Sequence, residues 1–160
     1  MTAGVVAGVD PDLARAVAAH PTHTGASASP FDAWLAARGL KTLGLRVERQ
    51  MATAAVLAAR LWQGGFGALV SVELPGGRSA VDAAWRAFRL WGRGRTLGNV
   101  ESMVRYPAVA SHRGLSTDER LARGIEPGLL RLSVGIEGVE DLWADLAAAL
   151  GIPRPPDVVI

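Results

Sequence analysis

Arg131 has the type and the setting to hold a small anion. It stands in Leu129-Leu-Arg-Leu-Ser-Val-Gly-Ile-Glu137, and residues 129–134 of that stretch read as a β-strand. A planar guanidinium forms two parallel, charge-assisted hydrogen bonds with a carboxylate. An arginine set between leucines on a strand is partly buried, and a buried charge needs a partner. From the residues alone the simplest partner is internal, Glu101 or Glu137. Glu101 itself reads as a strand-edge charge or as a partner for Arg105. Thr96 reads as a loop hydroxyl that bonds its own backbone. His20 and His23 are three apart in a Thr-rich loop with no acidic ligand close by, and His112 stands alone, so no metal signature results. The chain has no cysteine, which excludes disulfides, thiolate-bound metals and thiol chemistry. It has neither a Gly-rich phosphate loop of the P-loop kind nor a Gly-x-Ser-x-Gly nucleophile motif. Arg86, Arg89, Arg93 and Arg95 form the nearest thing to a basic stripe. They read first as a solvated helix end, with nucleic-acid contact a distant second.

These residues need a scaffold. Asp10-Pro11-Asp12 opens a short helix to Ala19, and 21–30 reads as a loop rich in Thr, Ser, Gly and Ala. Ser29-Pro30 opens a long helical pattern to about Trp62. Leu40, Leu43, Val47, Met51, Ala54, Ala58 and Leu61 share one face. Gly39 and Gly44 each cost about 1 kcal/mol in a helix, so a break is expected between them. Strands are expected at 66–74, 101–106 and 129–134, with 93–99 as a loop. A helix capped by Ser79 should run to about Trp91, with Val81, Trp85, Phe88 and Trp91 inward. Ser116 and Glu119 have the spacing of a capping box for a short helix. A last helix, 138–150, places Val139, Leu142, Trp143, Leu146 and Leu150 on or near one face and stops at Gly151. The tail with Pro153, Pro155 and Pro156 reads as extended. Strands separated by helices predict an α/β (α+β) layer with helices on a small sheet.

Composition sets the outer limits. The chain has 160 residues, 49% of them hydrophobic and 20% charged. That is ordinary for a globular protein and excludes a wholly disordered one. The length suits one domain, or one domain with part of another. Net charge is only +2, and the isoelectric point of about 9.9 is high because Lys41 is the only lysine among 17 basic residues. No apolar run approaches the roughly 18 residues of a membrane span. Residues 1–9 lack the basic start of a signal peptide. The expectation is a cytoplasmic protein without membrane or nucleic-acid partners.

Two stretches carry a resemblance. One is Ser29-Pro-Phe-Asp-Ala-Trp-Leu-Ala-Ala-Arg-Gly-Leu-Lys-Thr-Leu-Gly-Leu-Arg-Val-Glu-Arg49. The other begins Thr96-Leu-Gly-Asn-Val-Glu-Ser102, continues through Tyr106-Pro107-Ala108, His112 and Gly124-Ile125, and ends in 129–137 and Glu140-Asp-Leu142. Together they resemble the pyridoxal 5'-phosphate (PLP) enzymes of cysteine and methionine metabolism, the trans-sulfuration family of cystathionine synthases and lyases. The resemblance covers most of residues 1–150. It implies the C-terminal portion of an aspartate-aminotransferase-like, fold I enzyme. Residues 1–45 would be the end of the PLP domain and the interdomain helix. Residues 46–150 would be the small domain, and 151–160 a Pro-rich tail.

The resemblance also implies roles. Arg131 would grip the substrate's α-carboxylate. Thr96, where the family usually has serine, would place a hydroxyl beside that carboxylate. Glu101 would favour γ- over β-chemistry and accept from a substrate amine. The Schiff-base lysine has no counterpart, since Lys41 lies in a different motif, so no catalytic residue is expected and PLP binding by this chain alone is doubtful. Between the long helix and Gly64-Gly65-Phe66-Gly67, a strand and a loop of the family have no counterpart. Three readings follow: a fragment of a lyase or γ-replacement enzyme acting on cystathionine, methionine or acylated homoserine; half of a split enzyme completed by a second chain; or a stand-alone, non-catalytic module. A homo-oligomer or a complementary N-terminal half is the expected partner.

Overall fold

The computed structural model describes residues 8–24, 28–61, 67–94 and 97–153. The chain divides into two compact units between Gly44 and Leu45.

In the first unit, α1 (Pro11–Thr24) and α2 (Pro30–Leu40) are the helices. Asp10 accepts from the backbone N–H of Asp12 at 2.9 Å, as the Asp-Pro-Asp start predicts. Helix α1 runs further than expected. His20 to Thr24, read above as loop, lie within it despite Pro21. Ser29 caps α2, its hydroxyl oxygen accepting from Asp32 N–H at 3.1 Å. No residue of α2 is buried, and Phe31 and Trp34 stack on each other with ring centroids 6.1 Å apart.

The second unit carries the core. Helix α3 (Leu43–Arg60) begins after the expected break. Strand β1 (Leu69–Glu73), α4 (Gly77–Ala87), β2 (Gly92–Arg93), β3 (Met103–Arg105), α5 (Thr117–Leu121), β4 (Leu129–Ser133) and α6 (Val139–Leu150) follow. The sheet order is β1-β4-β3-β2, with β4 antiparallel to both neighbours and β2 parallel to β3. Alternation decides which side chains face the helices. Val70, Val72, Val104, Leu130 and Leu132 are buried in one core with Leu57, Val81, Leu142 and Leu146 of the helices. The opposite face carries Ser71, Met103, Arg105, Arg131 and Ser133.

Four expectations need correction. The apolar stripe of the long helix splits: Ala54 and Ala58 are buried, whereas Leu40, Leu43, Val47 and Met51 are exposed. The buried face is Gln50, Thr53, Ala54, Leu57 and Ala58, and Ala54, Leu57 and Ala58 of it belong to the shared core. Gly76, at φ +98°, sits at the cap position of α4, and Ser79 donates its hydroxyl to the Gly76 carbonyl instead. The helix ends at Ala87, so Phe88 and Trp91 reach the core from irregular chain beyond it. The fourth strand, β2, falls partly in the expected loop. Its glycines carry no strand signal, yet Gly92 and Gly94 lie directly under Met103 of β3, whose sulfur would meet a Cβ on Gly92 at 2.7 Å.

Asp145 pins the segment between α4 and β2. Its carboxylate accepts from the backbone N–H groups of Arg89, Leu90 and Trp91 at 2.8–3.1 Å. Asp145→Ala is expected to cost about 1–3 kcal/mol, because three donors lose one shared acceptor. Urea unfolding should show this as a lower midpoint at constant slope. A midpoint equal to the parent's would mean that water replaces the carboxylate without loss. Arg60 joins α3 to α6 by a two-pronged bond to Glu140 at 2.6 and 2.9 Å and lies 5.4 Å from the Trp143 ring centroid. The bond from Arg60 holds the Glu140 carboxyl below its ordinary range. The capping box of α5 forms as expected, with Ser116 and Glu119 bonded reciprocally.

Candidate functional site

Arg131 sits at the centre of the helix-free sheet face. It lies opposite Ser71 of β1 on one side and Arg105 of β3 on the other. The side chain is half-buried, and its Nε is buried without a hydrogen-bond partner. Among the described residues Arg131 forms no ion pair. The internal partners named above are engaged elsewhere. Glu137 accepts from the Ser102 backbone N–H at 2.7 Å and from the Ser102 hydroxyl at 2.8 Å. Glu101 is exposed just before β3, and its carboxylate accepts from the Asn99 side-chain amide.

The strand ends around this face are held by a small polar clasp. The Gly135 N–H donates to the Ser102 hydroxyl at 2.8 Å, and the Ile136 N–H donates to the Val100 carbonyl at 2.9 Å. The Gly98 N–H donates to the Ser133 hydroxyl at 3.4 Å, which brings the 97–99 loop over the face that bears Arg131. From α3, Gln50 donates through Nε2 to the Asn99 carbonyl at 2.6 Å. Gln50 is 1% exposed. A buried amide of this kind must be hydrogen-bonded, so Gln50 fixes the loop's position. Sequence reading missed Gln50, Ser102 and Gly135. The one available signal was a glutamine among the small and apolar residues of an otherwise buried helix face.

Thr96 lies outside the described residues, as do residues 62–66, where the absent strand and loop were expected. His20 lies in α1 and is exposed. His112 has a buried Nδ1 without a hydrogen-bond partner. No group of three metal-ligating side chains occurs among the described residues. Of the arginine run, Arg86 lies in the last turn of α4 and donates to the Asp82 carbonyl, Arg93 of β2 donates to the carbonyls of Trp85 and Phe88, and Arg95 lies outside the described residues. No described helix is long and apolar enough to cross a membrane.

The second unit is thus a small mixed sheet with helices on one face and Arg131 on the other. Among solved structures, a cystathionine γ-lyase from Micromonospora echinospora superposes with a TM-score of 0.82 at 39% identity, covering 89% of this chain and 44% of that one. A cystathionine γ-synthase from Xanthomonas oryzae pv. oryzae does so with a TM-score of 0.82 at 36% identity. The family model described as Cys/Met metabolism PLP-dependent enzyme matches residues 1–64 and 59–151. This chain belongs to that family. L-methionine γ-lyase of Streptomyces avermitilis is 39% identical over 97% of this chain and 39% of its own length. O-succinylhomoserine sulfhydrylase of Pseudomonas aeruginosa is 37% identical over 92% of this chain and 42% of its own. The chain thus spans about two fifths of the curated relatives it matches.

Proposed function

We propose that this chain supplies the substrate-carboxylate side of a PLP-dependent site acting on a sulfur amino acid or an acylated homoserine. The observation that carries the reading is Arg131: half-buried, on the open sheet face, and without a carboxylate partner among the described residues. In this role Arg131 takes the α-carboxylate by its two-pronged fork. By the family resemblance, Thr96 would offer a hydroxyl to the same carboxylate and Glu101 would accept from the substrate amine. PLP supplies an electron sink at the substrate's α-carbon when it is bound.

The chain's own residues do not fit the cofactor. Lys41, the only lysine, is exposed at the turn that ends α2, where its backbone N–H bonds the Gly39 carbonyl. Schiff-base lysines work in enclosed, prepared sites. The cofactor's lysine therefore belongs to polypeptide outside these 160 residues. That polypeptide is either a continuation of this chain, as in a C-terminal fragment, or a second chain, as in a split enzyme. Membership of a family of metabolic enzymes supports a cytoplasmic location.

Co-expression with the N-terminal portion of the S. avermitilis lyase tests the reading. The expected result is a complex that binds PLP and releases a keto acid from methionine or an acylated homoserine, with activity dependent on Arg131. A complex that binds PLP and turns over equally well without Arg131 would overturn it. Self-association is the companion expectation. In the first unit Phe31 and Trp34 on α2 are exposed, and in the second Leu45, Val47 and Met51 on α3, and exposed apolar surface favours association. Light scattering should show species larger than one chain at micromolar concentration; a clean monomer there would count against it.

A further inference from the structure

Arginines also gather away from Arg131. A cleft of about 300 Å³ is lined by Arg78 of the first turn of α4, Arg113 of the turn before α5 and Arg120 of α5. Neither an aspartate nor a glutamate lines it, and neither does Arg131. Three like charges around one concavity repel each other and focus a positive potential into it. The floor is apolar: Ile125 is 7% and Tyr106 5% exposed. The Tyr106 hydroxyl is already spent on the Pro127 carbonyl at 2.8 Å. Burial raises the Tyr106 pKa; the charges of Arg78 and Arg120 work against that rise, and the charge of Asp82 adds to it.

The three arginines differ in their commitments. Arg120 is held in place by bonds to the Leu115 carbonyl at 2.7 Å and the Thr117 hydroxyl at 3.2 Å. Thr117 accepts there, so its own proton is left to donate. Arg78 leans on Asp82 at 3.6 Å, with both side chains largely solvent-exposed, and Asp82 does not line the cleft. Such exposed pairs contribute little. Arg113 makes no hydrogen bond or ion pair among the described residues.

We propose that this cleft is a second binding site, for a small organic phosphate monoester. The apolar body lies on Ile125 and Tyr106, and the phosphoryl oxygens take Arg113 together with Arg78 and Arg120. A carboxylate is satisfied by one guanidinium fork. Three guanidiniums from three separate segments suit a dianion with three oxygens. A 300 Å³ volume lies at the lower end of ligand pockets, which fits a single ring or short chain. The proposal is independent of the role given to Arg131.

The test is titration of the 160-residue chain at constant ionic strength with phenyl phosphate, inorganic phosphate and benzoate, followed by calorimetry and amide chemical shifts. Phenyl phosphate should bind saturably, with shifts confined to the segments lining the cleft, and about tenfold more tightly than either other probe. Arg113→Gln should weaken it by about tenfold or more, since charge-assisted bonds of this kind are each worth at least that factor. Arg113 is exposed and unbonded, so its melting temperature should match the parent's; Arg78→Gln is the second variant, with the same expected loss. Arg131→Gln should bind phenyl phosphate as the parent does. Shifts that rise without saturation, an Arg113→Gln chain that binds unchanged, or benzoate binding as tightly as phenyl phosphate would each overturn the proposal.

Discussion

Arg131→Ala should leave the melting temperature of the isolated chain close to the parent's while removing substrate affinity from the reconstituted enzyme. Arg131 has no ion pair and no bond at Nε among the described residues, so truncating it breaks no internal charge pair. A structural buried pair behaves oppositely: removing one partner costs about 3–5 kcal/mol of stability. In the enzyme completed with an N-terminal half, Arg131→Lys keeps the charge and loses the fork. Substrate binding should weaken by about 1.5–3 kcal/mol, the worth of hydrogen bonds to charged groups. That is roughly ten- to a hundredfold in KM or Kd. Thermal melts of Arg131→Ala, paired with the kinetics of Arg131→Lys, separate the two roles. A collapsed melt with unaltered substrate affinity would mean that this arginine is structural.

The second large effect is expected at Gly135. A Cβ there would lie 2.2 Å from the Val100 carbonyl oxygen and 2.7 Å from the Ser102 backbone nitrogen. It would also lie 2.4 Å from Glu137 Oε2. Two of these atoms are backbone, so a rotamer change cannot relieve the clash. Gly135→Ala should therefore cost at the upper end of the roughly 1–3 kcal/mol of overpacking, or more. The damage should not stop at stability. The same atoms hold the Ser102, Glu137 and Gly135 clasp, and the 97–99 loop reaches the Arg131 face beside it. Guanidinium chloride unfolding should show a lower midpoint, and amide shifts should move at 98–102 and 133–137. Near-parental stability with unmoved shifts would show that the strand ends can separate without cost.

Much of the scaffold was legible in the residues. The break between Gly39 and Gly44, the three longer strands, the Ser116–Glu119 capping box and the Gly151 stop all depend on local chemistry. Glycine's helix cost, side-chain alternation and the reach of a capping side chain act within a few residues of chain. The family was legible for a different reason. Ordered stretches such as 29–49 and 129–137 preserve whole segments of one fold. Illegible features depended on a neighbour distant in sequence. Strand β2 exists because Met103 packs over two glycines. The α3 stripe looked continuous to Leu40, but only from Gln50 onward does the helix bury residues.

The same division runs through the candidate site. Arg131's type, its strand and its half-burial follow from the sequence, because leucines at alternate positions place it on the face away from the core. Its lack of an internal partner does not. Glu101 and Glu137 were both available as sequence, and only the folded chain sends Glu137 to Ser102 and Glu101 to Asn99. A carboxylate binds whichever donors the strand ends bring within about 3 Å. That choice depends on strand register, and register depends on the whole sheet rather than on any segment of it.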